Sequence, residues 1–386
     1  MTRIIEFLIA LGIVAGLFVV VGLVLPSERH MSESVETNRK MTIVYDTLNG
    51  FHRFKDWNPL VLRDPKIQLK LSGAESGKGA RLDYSSTEGY IGDGSWTITD
   101  SVKNQRIEIE IDDPTKGHDK VTSFTLEPTG KNNRNVKITQ DYGVKYGWNL
   151  FGRYAGLYVS RHVGDDLKLG LSRLSNVLAT VPNFDYRAEL DGKPALADLK
   201  IVDVPAEDLL VVNAGNIDRD NDTIKKSIKD NQEWIKRTME ANGLEAAGPV
   251  RIVTTDFAAE KYAFDVVQPV RKRAGGAAPK ADEAKDDAKE DAPAVDATPV
   301  AASGEQLKVN IPSGAPVTYS RTAAHRSAFA SYVGHMAGLD VARNALRAWA
   351  TTSGYDVVDR PYESWKGGVD KAFTTEGSYD VYWAIK

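Results

Sequence analysis

Residues 148–181 read WNLFGRYAGLYVSRHVGDDLKLGLSRLSNVLATV, and in the second half of that stretch Leu167, Leu171, Leu174 and Leu178 recur at i, i+4, i+7 and i+11. A period of about 3.6 residues puts all four on one face, so the stretch predicts one long amphipathic helix. An apolar stripe of that length has to be buried against something. Upstream lie six short alternating runs of strand character, and the natural partner is a sheet curled around the helix. Pro182 ends the helix, because proline lacks the amide donor and disfavours helical geometry in the residue before it. A different pattern begins there, which places the long helix between two folded units, residues 29–181 and 183–386.

In the first unit, residues 30–37 predict a strand and 40–48 a short helix, with Met41, Val44, Tyr45 and Leu48 at helical spacing. A turn-rich link, FHRFKDWNPL, follows. Strands are then predicted at 67–71, 80–85, 95–99, 106–111, 121–126 and 136–142, with glycine, asparagine and proline between them as hairpins require. In the fourth, Ile107, Ile109 and Ile111 alternate with Glu108, Glu110 and Asp112, the pattern of a sheet with one wet face and one covered face. A curved sheet and a straight helix cannot touch everywhere, so an apolar cavity is expected between them. The segments WNPLVLRDP, GKGARLDY, GDGSWTI, GRYAGLYV and LGLSRL resemble the START/Bet v 1-like superfamily, also labelled polyketide cyclase or SRPBCC. The resemblance covers nearly all of this unit. It implies a helix-grip fold with an internal hydrophobic pocket for lipids, hormones, polyketides or other apolar molecules, and no shared set of catalytic residues. Trp57, Trp96 and Tyr154 are the candidate ligand contacts. The alternative for Trp57 and Trp96 is core packing, with Asn58 capping the chain before Pro59; for Tyr154, as for Tyr158, it is a hydroxyl satisfied by a backbone carbonyl.

The second unit opens with IVDVPAEDLLVVNAG, two strand-like runs around Pro205, then a helix over 222–241 with Asp222 as N-cap, then strands at 250–255 and 262–270. The order recurs as a strand at 316–321, a mostly helical stretch at 328–352 anchored by Leu339, Leu346 and Trp349, and strands at 355–358 and 379–385. This suggests a duplicated strand-helix-strand-strand unit with a groove on its pseudo-twofold. Between the halves, residues 274–304 lack aromatic side chains and predict a disordered insertion. RPYESWKGG and the terminal YDVYWAIK resemble the GyrI-like effector-binding domain, with a departure at 322–327, TAAHRS, where that family has a glycine-aromatic step. The resemblance implies that Glu363 sits at the bottom of an aromatic-lined groove that meets cationic or polar ligands with apolar bodies, and some relatives use such a glutamate for hydrolysis. Glu363, Trp365, Tyr362 and Trp383 are the candidate contacts there. A carboxylate among these rings and Tyr382 is a cation receptor or a general acid/base; the alternative is a surface glutamate paired with Arg360 or Lys366.

Composition narrows the function. A net charge of -4, with Lys and Arg scattered along the chain, gives no argument for nucleic acid. Zero cysteines exclude disulfides, thiolate catalysis and Cys-ligated metal. No phosphate-binding or nucleophile motif occurs, no cofactor or metal is implied, and His162 and Asp166, at i and i+4, fit a solvated helix face as well as a proton-handling pair. Residues 7–25 carry no charge, and a helix there is about 28 Å long, enough to span a bilayer. With no A-x-A-like cleavage site after it, the run predicts an uncleaved single-pass anchor within residues 1–28, in a bacterial inner membrane with the soluble part periplasmic. The expectation is an α+β chain: a membrane anchor, a helix-grip sheet around a long C-terminal helix, and a duplicated GyrI-like domain. Its partners are a hydrophobic, possibly cationic, small molecule or lipid and the membrane, in sensing, sequestration or transfer. Two rivals stay open: a hydrolase or cyclase using Glu363, and an interaction protein whose cavities are filled. Less than a few hundred Å³ of enclosed space in each unit favours the last.

Overall fold

The computed structural model describes residues 2–190, 193–257, 260–273, 301, 302 and 304–386. The fold is α+β, with two antiparallel sheets and an apolar N-terminal helix, and the chain divides into two compact units near residue 183. Helix α1 (Thr2–Val24) is long and apolar enough over residues 3–24 to cross a membrane, and nearly all of it is exposed.

In the first unit, β1 (Glu28–Thr37) leads into α2 (Met41–Leu48), α3 (Phe54–Trp57) and α4 (Pro59–Arg63). Six strands follow: β2 (Gln68–Gly73), β3 (Ala80–Ser85), β4 (Asp93–Val102), β5 (Arg106–Asp112), β6 (His118–Thr129) and β7 (Asn135–Lys145). The sheet order is β1-β7-β6-β5-β4-β3-β2, a meander whose last strand takes the first as its neighbour. Each of the six predicted strands is present; β3 has the predicted bounds and the other five are longer than predicted. The turn-rich link became two short helices because Asn58 Oδ1 accepts from the Leu60 amide at 3.0 Å and Pro59 supplies the first helical φ.

The predicted single helix over 148–181 is two: α5 (Leu150–Ala155) and α6 (Val159–Thr180). The ring of Tyr146 packs so closely against Gly152 and Gly156 that a Cβ at either position would lie 2.9 Å from it, and the chain turns there. The stripe itself stands. Leu167, Leu171, Leu174 and Leu178 are all buried, and α6 lies along β1 with its other flank on α3 and α4.

The second unit contains a small hairpin, β8 (Glu189–Leu190) and β9 (Lys193–Pro194), then β10 (Ala197–Val204), β11 (Glu207–Asp218), α7 (Asn221–Ala241), β12 (Leu244–Ala246), β13 (Arg251–Phe257) and β14 (Lys261–Lys272). After the insertion come β15 (Val317–Thr322), β16 (His325–Val333), α8 (Leu339–Thr352), β17 (Tyr362–Trp365), α9 (Gly368–Ala372) and β18 (Ser378–Ala384). The sheet order β10-β16-β18-β17-β13-β14-β11-β15 reads alike from its centre outward in both directions. Strands β11, β13 and β14 with α7 answer β16, β17 and β18 with α8, which is the duplicated unit expected from the sequence.

Its second copy differs from the prediction in three places: the strand expected to open it, 316–321, is β15, which pairs with β11 of the first copy, so that β16 opens the second. The helix begins at Leu339, not at 328, because residues 325–333 form β16, held between β10 and β18. Ala328 and Ala330, good helix formers, are wholly buried in that strand: pairing on both sides overrides propensity. Residues 355–358 form no strand beyond a single bridge, Val357 to Ile385, and the pairing strand is β17. Asp220 caps α7 through its carboxylate, where Asp222 was expected to do so. The predicted insertion, 274–304, lies almost entirely outside the described residues.

Candidate binding cavity and the paired carboxylates

The first unit holds a cavity of about 190 Å³, partly open to solvent, between the sheet, α3, α4 and α6. Its apolar walls are Trp57, Pro59, Leu60, Ile91, Trp96, Ile111, Val163 and Leu167. Trp57 is buried and meets Phe54 and Phe124 edge-on at 5.7 and 5.9 Å, and Trp96 meets Phe54 at 5.1 Å, so both tryptophans are core and cavity wall at once. Gly94 is required by the next residue in the wall. A Cβ there would lie 2.3 Å from the Tyr84 hydroxyl, so only glycine lets that phenol cross β4.

The polar wall comes from β6, β7 and the loop between β5 and β6. Along β7, Val136, Ile138, Gln140, Tyr142 and Val144 share the inward face, and Gln140 is 3% exposed. Gln140 Nε2 donates to Thr122 Oγ1 at 3.1 Å, and Thr122 Oγ1 donates to the Asp141 carbonyl at 2.9 Å. Since the threonine hydrogen is used on that carbonyl, Thr122 accepts from the amide, which fixes the amide's orientation. Gln140 lines the cavity, and its Oε1 is buried with no hydrogen-bond partner. Beside it, Asp113 is gripped by Lys120, a 3%-exposed cation that also donates to Thr115 O and Oγ1. Burial, reinforced by the Asp113 carboxylate, pushes the phenols of Tyr84 and Tyr142 up, so both remain neutral donors. At the rim, Arg63 of α4 meets Asp166 of α6 at 2.6 Å, and Tyr90 donates to the Arg63 carbonyl at 3.2 Å. Burial raises the Asp166 carboxyl, and Arg63, its ion-pair partner, opposes the shift.

Tyr154 does not reach this cavity. Its hydroxyl donates to the Phe18 carbonyl at 2.8 Å and its ring stacks on Phe18 at 4.6 Å, outside the grip.

In the second unit the four candidate residues divide between the two faces of the sheet. Strand alternation puts Tyr362 and Ser364 on one face and Glu363 and Trp365 on the other. Tyr362 pairs in register with Tyr382, their rings stacked at 4.8 Å, above the Arg251 guanidinium at 4.9 Å. Arg251 in turn forms a buried bidentate pair with Glu207 at 2.6 and 2.7 Å. Burial pushes the Tyr362 phenol up to about 12, against the pull of Arg251. Glu363 faces α8 and is wholly buried, with both carboxylate oxygens taken by Arg343 Nε and Nη2. Its partner is thus neither Arg360 nor Lys366, and it does not sit among Tyr362 and Tyr382. Trp365 packs edge-on against Tyr379 at 5.6 Å; half-buried Trp383 lies under Arg347 of α8 at 5.8 Å.

The residues that sequence reasoning passed over are Gln140, Asp113, Lys120, Tyr84 and Tyr142 in the cavity and Arg343 beside Glu363. For Gln140 a signal existed. It interrupts an alternating apolar face, where a polar residue must find a partner or a task.

No family model matches the chain, and no curated protein matches it. Solved structures that resemble parts of it include XoxI from Bacillus cereus, 12% identical with a TM-score of 0.31, covering 39% of this chain and 96% of that one. A truncated norcoclaurine synthase from Thalictrum flavum is 11% identical with a TM-score of 0.32, covering 40% and 94%. The EcmrR C-terminal domain is 13% identical with a TM-score of 0.34, covering 49% and 97%. The first two are GyrI-like and Bet v 1-like folds.

Proposed function

We propose that this chain is a membrane-anchored binding protein that holds a small amphiphile in the helix-grip cavity of its first unit. The observation that carries the reading is a largely apolar cavity with Gln140 in its wall, a residue whose Oε1 is a buried acceptor without a partner. An unsatisfied buried acceptor costs about 1–3 kcal/mol, which a ligand donor recovers on binding. The size narrows the occupant. A cavity of about 190 Å³ is below a few hundred Å³ and below the roughly 300–1,000 Å³ typical of drug-sized ligands, which on size alone favours the filled reading, but it is above the roughly 150 Å³ that admits benzene. The fitting molecule has one ring or a short branched chain and carries a hydroxyl or amine that donates to Gln140. Residues 2–24 supply the anchor in this reading, with sensing, sequestration or transfer of such molecules at the membrane as the role.

For the second unit a specific observation favours the filled-site reading. Arg343 already occupies both oxygens of Glu363, so an external cation would have to displace a buried guanidinium to reach it. A hydrolytic role for Glu363 meets the same obstacle.

The test uses phenol and its methyl ether, anisole, which have the same ring but differ in the donor. Binding to the full chain and to Gln140→Leu is measured by saturation-transfer NMR. The unsubstituted chain is expected to prefer phenol by about 5- to 10-fold, the worth of one hydrogen bond of about 1–1.5 kcal/mol, and Gln140→Leu to abolish the preference. Absence of saturation transfer to either compound in the unsubstituted chain would move the first unit, too, to the filled-cavity reading.

A further inference from the structure

We infer that the segment 148–158, built around α5, is a second membrane contact: an interfacial apron that lies in the headgroup region of the bilayer spanned by α1. The inference rests on the anchoring role proposed for α1 and adds to it a surface of the folded unit.

Three observations converge on this segment. First, Trp148, Phe151, Leu157 and Tyr158 are 83, 66, 48 and 64% exposed, a concentration of large apolar side chains on eleven residues of an otherwise ordinary surface. Second, α5 is fastened to the C-terminal end of α1. Arg153, 8% exposed, donates to the carbonyls of Gly22, Leu23 and Leu25 at 3.3, 3.1 and 3.2 Å, supplying the donors and the positive charge that the last turn of a helix lacks. Gly22 permits the approach, since a Cβ there would lie 3.2 Å from both Leu150 and Tyr154. Third, the contact reaches inward along α1. Phe18 stacks on Tyr154 and meets Phe151 at 5.1 Å, and Phe18 precedes Gly22 by four residues, about 6 Å along the axis.

These fix the depth. If the apolar helix spans the bilayer, its last turn is at the boundary of the hydrocarbon, and whatever touches Phe18 reaches about 6 Å beneath that turn. That is the depth at which interfacial helices bury their apolar face, roughly 5–10 Å. The side chains suit the place. Trp and Tyr are enriched at the headgroup level, where an apolar ring and a polar tip are both satisfied, and Arg153 holds its charge on carbonyls rather than in hydrocarbon. Lys116, 6.0 Å from the Phe151 ring, belongs to the loop that also carries Asp113 and Thr115 of the cavity wall. The apron therefore sets one rim of the cavity beside the bilayer surface, where amphiphiles concentrate.

The experiment is depth-resolved fluorescence quenching of the full chain in phosphatidylcholine vesicles. Resistance to carbonate extraction first establishes that α1 is inserted. The emission of Trp148 is then obtained as the difference between the unsubstituted chain and Trp148→Phe, a change at an exposed position that leaves the packing intact. Acyl chains brominated near the headgroup are expected to quench this component, and chains brominated near the terminal methyl to quench it much less. An extraction-resistant chain whose Trp148 responds only to aqueous acrylamide has its apron in water, and one whose Trp148 responds to no quencher has it covered by protein; each overturns the inference. Release of the chain by carbonate overturns the anchor reading, and this one with it.

Discussion

Asp166 shows how a single side chain at the cavity rim couples burial to pH. Its carboxyl is raised by burial despite Arg63 at 2.6 Å, so it binds its proton more tightly folded than unfolded. The stability such a group contributes is greatest below its unfolded pKa and is lost as pH rises through the folded value. Asp166→Asn has no such titration. Its stability relative to the unsubstituted chain is therefore expected to improve from the acid end of the carboxylate range up to neutrality and then level off, as read from urea midpoints at a series of pH values. The opposite slope would mean that the attraction of Arg63 outweighs the desolvation. At this scale the sequence was partly readable. Trp57 and Trp96 could be picked out by type, and both line the cavity, whereas Gln140, Thr122 and Tyr142 share no local motif. They meet only because β6 and β7 pair with Thr122 opposite Tyr142 and Phe124 opposite Gln140.

Between elements, the informative contact is that of β17 with α8. Glu363 and Arg343 form a buried bidentate pair, and removing one partner leaves an uncompensated charge in the interior. Glu363→Gln is expected to lower stability by about 3–5 kcal/mol, while the double change Glu363→Leu with Arg343→Met recovers most of the loss, because an apolar pair needs no desolvation. Chemical denaturation of the two variants checks both statements; a single variant with near-native stability would show the site open enough for water to replace the carboxylate. The pair was not legible in the sequence. Glu363 stands out in RPYESW, but its partner lies twenty residues earlier on α8, and no local pattern joins the two segments. In the tertiary structure α8 packs so that Arg343 meets Glu363 of β17.

Across the second unit, chain order and sheet order are interleaved. β10 precedes the first repeat yet pairs with β16 of the second, and β15 precedes the second repeat yet pairs with β11 of the first. β13 and β17 join the repeats at the centre. Neither repeat can complete its sheet alone. A protease site introduced within 274–300 is accordingly expected, after cleavage, to leave the two fragments associated, with one mass under native electrospray and two bands after denaturation. Separation of the fragments without denaturant would contradict the interleaving. The sequence by itself determined the α6 leucine stripe and the six strands β2 to β7, written in periods of about 3.6 and 2 residues over short windows, the α1 helix, written as an uncharged apolar run, and the duplication, written as a recurring order of elements. Tertiary structure alone decided the break between α5 and α6, the swap of β10 and β15, the capture of Glu363 by Arg343 and the meeting of Gln140 with its neighbours. Each of these depends on side-chain packing or strand pairing, and all but the α5–α6 break on contacts between residues far apart in the chain, where pairing and burial energies outweigh the local preferences that a sequence displays.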